Sequence, residues 1–229
     1  MTLLDQLRGG LIVSVQARPG SALDDPHVLA AMARAAQENG ACAVRIQGVR
    51  NLRAVRKRVS VPIAGIVKRE YAGFGPYITP TLREVHEILE CGAEIVAFDA
   101  TARPHPENLD VPQLVAAIHA GGALAMADCA LPADGVAAAA AGSDILATTL
   151  CGYTKETQDM PLPALELTRA FAQLGRFVIC EGGIHEPEAA AQALAAGADA
   201  VVVGTAITNT EWLVRQYCAA LGQPKSWPS

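Results

Sequence analysis

Six short apolar runs end on polar residues whose types suit proton transfer beside a charged ligand. Gln16 follows LIVSV, Arg45 and Gln47 lie within AVRIQ, and Lys68 follows PIAGIV. Asp99 follows EIVAF, Asp128 follows ALAMA and Glu181 follows FVIC. An amine and a carboxylate such as Lys68 and Glu181 could remove a proton from carbon on one face and return one on the other. A lysine with its ordinary pKa of about 10.4 is a poor base at neutral pH until burial or a nearby cation lowers it. Arg45 is the candidate cation, and it could also stabilise an enolate oxygen. The plainer reading of the same residues is an ion pair, Lys68–Glu181 or Arg45–Asp128, that fills the top of the fold.

The elements that must position these residues recur along the chain. N-G-A-C-A-V at 39–44, C-G-A-E-I-V at 91–96, A-G-S-D-I-L at 141–146 and A-G-A-D-A-V at 196–201 each place a glycine at a helix end, then an apolar strand. Glycine suits a left-handed helix cap because it has no Cβ to clash. The spacing of roughly 50 residues fits two βα units per repeat. Between these copies lie LIVSVQ (11–16), PIAGIVK (62–68), ALAMAD (123–128) and FVICE (177–181), which brings the strand count to eight. Helices are expected over Asp25–Asn39, Thr81–Cys91, Pro187–Ala196 and Thr210–Leu221. The first opens on Asp25-Pro26 and the second on the capping box Thr-Leu-Arg-Glu. Eight alternating units predict a parallel α/β sheet closed into a single (β/α)8 TIM barrel over residues 1–229. An open doubly wound sheet is the alternative, and no G-x-G-x-x-G follows the first strand. In an eight-strand ring the third and seventh strands lie opposite one another, so Lys68 and Glu181 should face across the mouth. Residues at every second position share a face, which puts Ser14 in phase with Gln16 and points Arg45 and Gln47 inward.

Gly182-Gly183 after the seventh strand and Gly204-Thr205 after the eighth fall where such barrels cradle phosphate with bare backbone N–H groups. Tyr71–Thr79 and Thr148–Thr154 have the composition of active-site loops. The histidines at 27, 86, 105, 119 and 185 fall in helices or loops and show no metal-binding spacing, so no metal is expected. No G-x-S-x-G elbow is present, and Cys180 should face the helices as a packed thiol. Half of the 229 residues are hydrophobic and the net charge is -5, with Lys and Arg scattered, which argues against disorder and nucleic-acid binding. The six dispersed cysteines suit a reducing cytoplasm. The N-terminus lacks a signal-peptide pattern and no apolar run is long enough to span a membrane.

The blocks LIVSVQARPGSALDDP, AVRIQGVRNL, VPIAGIVKREY, ITPTLREV, FDATARPHP, ADCA, TTLCGYT, CEGGI and VVVGTAIT resemble, in order, the N-acetylmannosamine-6-phosphate 2-epimerases from about Gly9 to Trp212. The resemblance implies a ribulose-phosphate-binding-type barrel with a short N-terminal helix. It implies cofactor-independent interconversion of N-acetylmannosamine 6-phosphate and N-acetylglucosamine 6-phosphate in sialic-acid catabolism. Lys68 and Glu181 match the family's proton-transferring pair, and Gln16, Arg45 and Asp128 its sugar-contacting positions. Gly182, Gly183, Gly204 and Thr205 fall in its phosphate cradle. Where the family often carries an arginine after A-I-T, this chain has Asn209. The resemblance also implies a homo-oligomer, with a dimer favoured. Two other readings stand beside it: a metal-dependent pentulose-phosphate 3-epimerase, which would want ligands at strand ends, and a non-catalytic sugar-phosphate-binding barrel.

Overall fold

The computed structural model describes residues 1–222. All eight expected strands form: β1 (Leu11–Val15), β2 (Ala43–Gln47), β3 (Ile63–Ile66), β4 (Ile95–Asp99), β5 (Leu124–Asp128), β6 (Ile145–Ala147), β7 (Phe177–Glu181) and β8 (Ala200–Val203). They pair in parallel and in sequence order, and β8 returns to β1 through Leu11–Val201, Ile12–Val202 and Val13–Val203, closing the barrel. Among the described residues ten α-helices accompany them: α1 (Leu3–Leu7), α2 (Pro26–Glu38), α3 (Val49–Arg56), α4 (Leu82–Leu89) and α5 (Val111–Ala120), then α6 (Pro132–Ala140), α7 (Leu165–Ala172), α8 (Pro187–Ala195), α9 (Thr205–Thr208) and α10 (Thr210–Ala220).

Local chemistry explains where helices start and stop. The Asp25 carboxylate accepts the N–H of His27 at 2.6 Å and of Val28 at 3.3 Å, with Pro26 in the first turn of α2. At α4, the buried Glu84 carboxylate accepts from both the N–H and the hydroxyl of Thr81, at 2.9 and 2.6 Å. Caps of this kind are each worth about 1 kcal/mol. The four repeat glycines, Gly40, Gly92, Gly142 and Gly197, take left-handed φ values of 99°, 73°, 94° and 102°, which turn each helix back into its strand.

Alternation along the strands divides the core in two. Side chains such as Ile12, Ile66, Ile95, Met126, Ile145, Phe177 and Val202 fill the bore, and Leu7 of α1 joins them. Outward-facing Val44, Ile46, Phe98, Leu146 and Val178 pack against Leu29, Val55, Ile88, Ile118 and Phe171 of the helices. Complete burial of each large apolar side chain contributes about 1.5–3 kcal/mol. Cys180 faces outward with Ile184 and Ala193, as expected of a packed thiol.

One boundary differs from expectation. β3 ends at Ile66 rather than Lys68, because residues 77–79 fold back over the strand end. Lys68 forms an isolated antiparallel bridge with Ile78, while Arg69 N–H donates to the Tyr77 carbonyl and Thr79 N–H to that of Val67. Lys68 keeps the inward phase of Ala64 and Ile66, but it stands on this folded-back loop above the ladder. Similarly, Gln16 lies one residue past the end of β1.

Candidate active site

Continuing the inward alternation past the last apolar layer gives at least one polar or glycine position per strand. These are Ser14 and Gln16 from β1, Arg45 and Gln47 from β2, Lys68, Asp99, Asp128, Thr149, Glu181 and Gly204. Most of them line a cavity of about 750 Å3 at the C-terminal mouth of the barrel, within the size range of small-ligand sites. Gln16, Arg45, Gln47, Lys68, Thr149 and Glu181 line it, as do Gly182, Gly183, Gly204 and Thr205. Asp99 and Asp128 do not. Both are fully buried below the cavity, and Asp99 is taken up by Thr101 and by Arg103 at 2.5 Å.

At the centre is Arg45, almost wholly buried. Its Nη2 donates to Asp128 Oδ2 at 2.6 Å, and its Nη1 donates to Asp128 Oδ1 at 3.1 Å and to Glu181 Oε2 at 2.8 Å. Its Nε–H has no acceptor. The expected Arg45–Asp128 ion pair therefore exists, and it is bidentate. Burial alone would push the guanidinium down, but Asp128 and then Glu181 more than reverse this, so Arg45 stays charged.

Glu181 is pushed up to about 7. Burial is the main cause and the Asp128 charge adds to it, while Arg45, the Thr149 hydroxyl and Lys68 pull the other way. Across the mouth, Lys68 is lowered from its ordinary value, first by loss of water and next by the positive Arg45, with Glu181 and Asp128 opposing. The Lys68 side chain still reaches solvent, so the barrel wall dehydrates the amine only in part. Among the described residues Lys68 makes no ion pair, so Lys68–Glu181 is not a structural bridge. The two pKa values are drawn toward one another, as a donor–acceptor pair near neutral pH requires.

Two threonines of the β6 loop hold Glu181 in place. The Thr148 hydroxyl donates to the Glu181 carbonyl at 2.9 Å and accepts its N–H at 3.0 Å. The Thr149 hydroxyl lies 2.7 Å from Asp128 Oδ1 and 3.3 Å from Glu181 Oε2. With one proton it can donate to only one carboxylate at a time, so it is in direct communication with the protonation of Glu181. The sequence reading placed Thr149 in a loop and gave it no role, although stepping by two from Ile145 through Ala147 reaches it. Tyr77, Arg18 and His185 also line the cavity without having been singled out. His185 stacks on Trp212 with ring centroids 4.9 Å apart.

The glycine loops close the opposite side. Gly182 and Gly183 have φ of 105° and 70°. A Cβ on Gly183 would also overlap Leu162, so any other residue would displace the wall of the site. Among the described residues, the N–H groups of Gly182, Gly183, Gly204 and Thr205 have no acceptor within the chain. No group of three or more His, Cys, Asp or Glu side chains among the described residues is placed to hold a metal ion.

A closed (β/α)8 barrel with an amine and a carboxylate on opposite sides of its mouth is a framework suited to an isomerase, and the known proteins it resembles are named as epimerases. The family described as "Putative N-acetylmannosamine-6-phosphate epimerase" matches residues 29–223. A relative from Salmonella arizonae is 48% identical over 233 residues, covering 99% of this chain and 100% of its own length. Another from Edwardsiella ictaluri is 47% identical over 216 residues, covering 94% and 91%. Both are named "Putative N-acetylmannosamine-6-phosphate 2-epimerase". The solved structure of the N-acetylmannosamine-6-phosphate 2-epimerase from Clostridium perfringens superposes with a TM-score of 0.93 at 39% identity over 96% of both chains. This chain belongs to the N-acetylmannosamine-6-phosphate 2-epimerase family.

Proposed function

We propose that this chain interconverts N-acetylmannosamine 6-phosphate and N-acetylglucosamine 6-phosphate by removing and returning the proton at C2, without a cofactor. The observation that carries the reading is the opposition of Lys68 and Glu181, with their pKa values pushed toward each other, across one cavity. In the open-chain sugar the C1 aldehyde acidifies the C2 hydrogen. One side chain takes that proton as the C2–H electron pair becomes an enolate with its charge on O1. The other then donates a proton to the opposite face of C2. The pair loses and gains one proton per turnover, so its total is unchanged and the reverse reaction starts from the tautomer that the forward reaction leaves. Arg45 supplies fixed positive charge beside the enolate, with Asp128 holding it from behind. Gln16 and Gln47 are suited to the sugar hydroxyls.

The unpartnered N–H groups of Gly182, Gly183, Gly204 and Thr205 are the phosphate donors. A homo-oligomer, as a dimer, is supported by α10, in which no residue is buried and which, with its C-cap Leu221, presents Val214, Tyr217 and Leu221 to solvent. Light scattering that returns the monomer mass at working concentration would refute that state. No described helix is long and apolar enough to cross a membrane, and free thiols at positions 42, 91, 129, 151, 180 and 218 support a reducing cytoplasm. Proton NMR in heavy water tests the reaction itself. Product should form with solvent deuterium at C2, and complete retention of the original hydrogen at early turnover would overturn the mechanism.

A further inference from the structure

The glycine side of the cavity offers backbone donors but very little fixed positive charge. Of the cationic side chains that line the cavity, Arg45 is committed to Asp128 and Glu181, and Arg69 to Glu84 and Glu87. Lys68 belongs to the acid–base pair. Among the described residues the remaining one is Arg18, on the loop after β1. The strand that leads into this loop lies against the glycine end: the Thr208 hydroxyl donates to the Ser14 carbonyl at 2.8 Å, and a Cβ on Gly204 would sit 3.2 Å from Ser14 Cβ.

Arg18 is only loosely held. Its Nη2 lies 3.4 Å from Glu211 Oε2, its side chain is 56% exposed, and Nε and Nη1 have no partner among the described residues. Glu211 is anchored independently, because the Ser21 hydroxyl donates to its Oε1 at 2.8 Å. Asn209 also lines the cavity, but it carries no charge and its Oδ1 is occupied as the cap of α10, accepting the Trp212 N–H at 2.9 Å. Glu211 stands two residues beyond cavity-lining Asn209, and its negative charge is met by Arg18.

We propose that Arg18 is the cation of the phosphate end. Glu211 tethers one edge of its guanidinium, and the free N–H groups of the fork donate to the substrate phosphate. The planar fork can serve two acceptors at once, which a lysine at this position could not do. The proposal rests on the phosphate reading of the glycine loops, and it makes selectivity for phosphorylated sugar depend on the loop after β1.

Calorimetric titration of N-acetylglucosamine 6-phosphate and of N-acetylglucosamine tests it on the wild type, Arg18→Gln, Arg18→Lys, Arg18→Gln/Asn209→Arg and Arg34→Gln. Arg34 pairs with Glu38 on the outside of α2, away from the cavity, and so controls for net charge. Arg18→Gln should weaken the phosphorylated ligand about 10-fold or more, the scale of one charge-assisted hydrogen bond, with the loss confined to that ligand. Arg18→Lys should recover only part of the affinity, and Asn209→Arg should restore it in the double variant. A wild type that binds both sugars equally would overturn the phosphate reading and this proposal together. A wild type that discriminates strongly, with Arg18→Gln unchanged or matched by Arg34→Gln, would overturn this proposal alone.

Discussion

Replacing Glu181 by Gln should make the protein inactive and, above neutral pH, more stable. The carboxyl rises from an ordinary 4.5 to about 7 in the folded chain, mainly because it is buried. At about 1.4 kcal/mol per pH unit, this corresponds to about 3 kcal/mol. Between those two pH values the folded chain binds a proton that the unfolded chain has already released. Stability therefore falls as pH rises through that window and levels off above about 7. Glutamine has the same shape and never ionises, so it escapes this cost. The gain is at most about 3 kcal/mol, since the Glu181 anion also supports the Lys68 ammonium, and that support is lost too. For a chain of this size the corresponding rise in Tm at pH 8 is up to roughly 6–12 °C. Near pH 5 the gain should shrink to about a quarter of that, roughly 1–3 °C, because most of the window between the two pKa values lies above that pH. Circular-dichroism melts at pH 5 and pH 8, run beside turnover assays, read both effects. A variant that melts at or below wild type at pH 8 would refute the reasoning, as would an equal gain at both pH values.

Lys68→Ala should abolish turnover, by about 10²–10⁴ or more, while the melt stays within a few degrees of wild type, since Lys68 reaches solvent and makes no ion pair. Near wild-type turnover in that variant would refute the two-sided proton transfer. Thr149→Val removes a hydroxyl that lowers Glu181, so the acidic limb of kcat/KM should move to higher pH, by about 1 pH unit at most, and Thr149→Ser should restore it. A lower rate with an unmoved pH profile would leave Thr149 no influence on the carboxyl. Activity should also survive exhaustive chelation, and loss reversed specifically by a divalent ion would refute a metal-free site.

The opposed pair was legible because two simple periods meet there. Eight βα units place the third and seventh strands across a ring, and alternation along each strand decides which terminal residue faces in. That reasoning found Gln16, Arg45, Lys68 and Glu181 at the cavity. It stopped short at Thr149, because β6 has only three residues in the sheet and the inward phase continues into the loop. It also could not separate a residue at the cavity from one beneath it. Asp128 and Glu181 end their strands in the same way, yet the bidentate grip of Arg45 holds Asp128 under the floor of the cavity. Asn209 was noticed only as a missing charge, although the helix expected from Thr210 already put it in the capping position that it takes at α10. Arg18 and Glu211 were illegible for another reason: their pairing depends on tertiary folding rather than local spacing.

The Ser21–Glu211 hydrogen bond joins residues separated by 190 positions, and β1 has β8 as one of its two partners. A growing chain thus makes the first strand of this enzyme long before the strand that completes its sheet. Domains tend to fold as units, from the N-terminus forward, as synthesis proceeds. Here an early half-barrel could gather Arg45 and Lys68, but not Glu181 opposite them, nor the last helix on which the first loop rests. Full binding should therefore wait until α10 has left the ribosome, and a nascent chain stalled before β7 would hold Lys68 with no carboxylate opposite it.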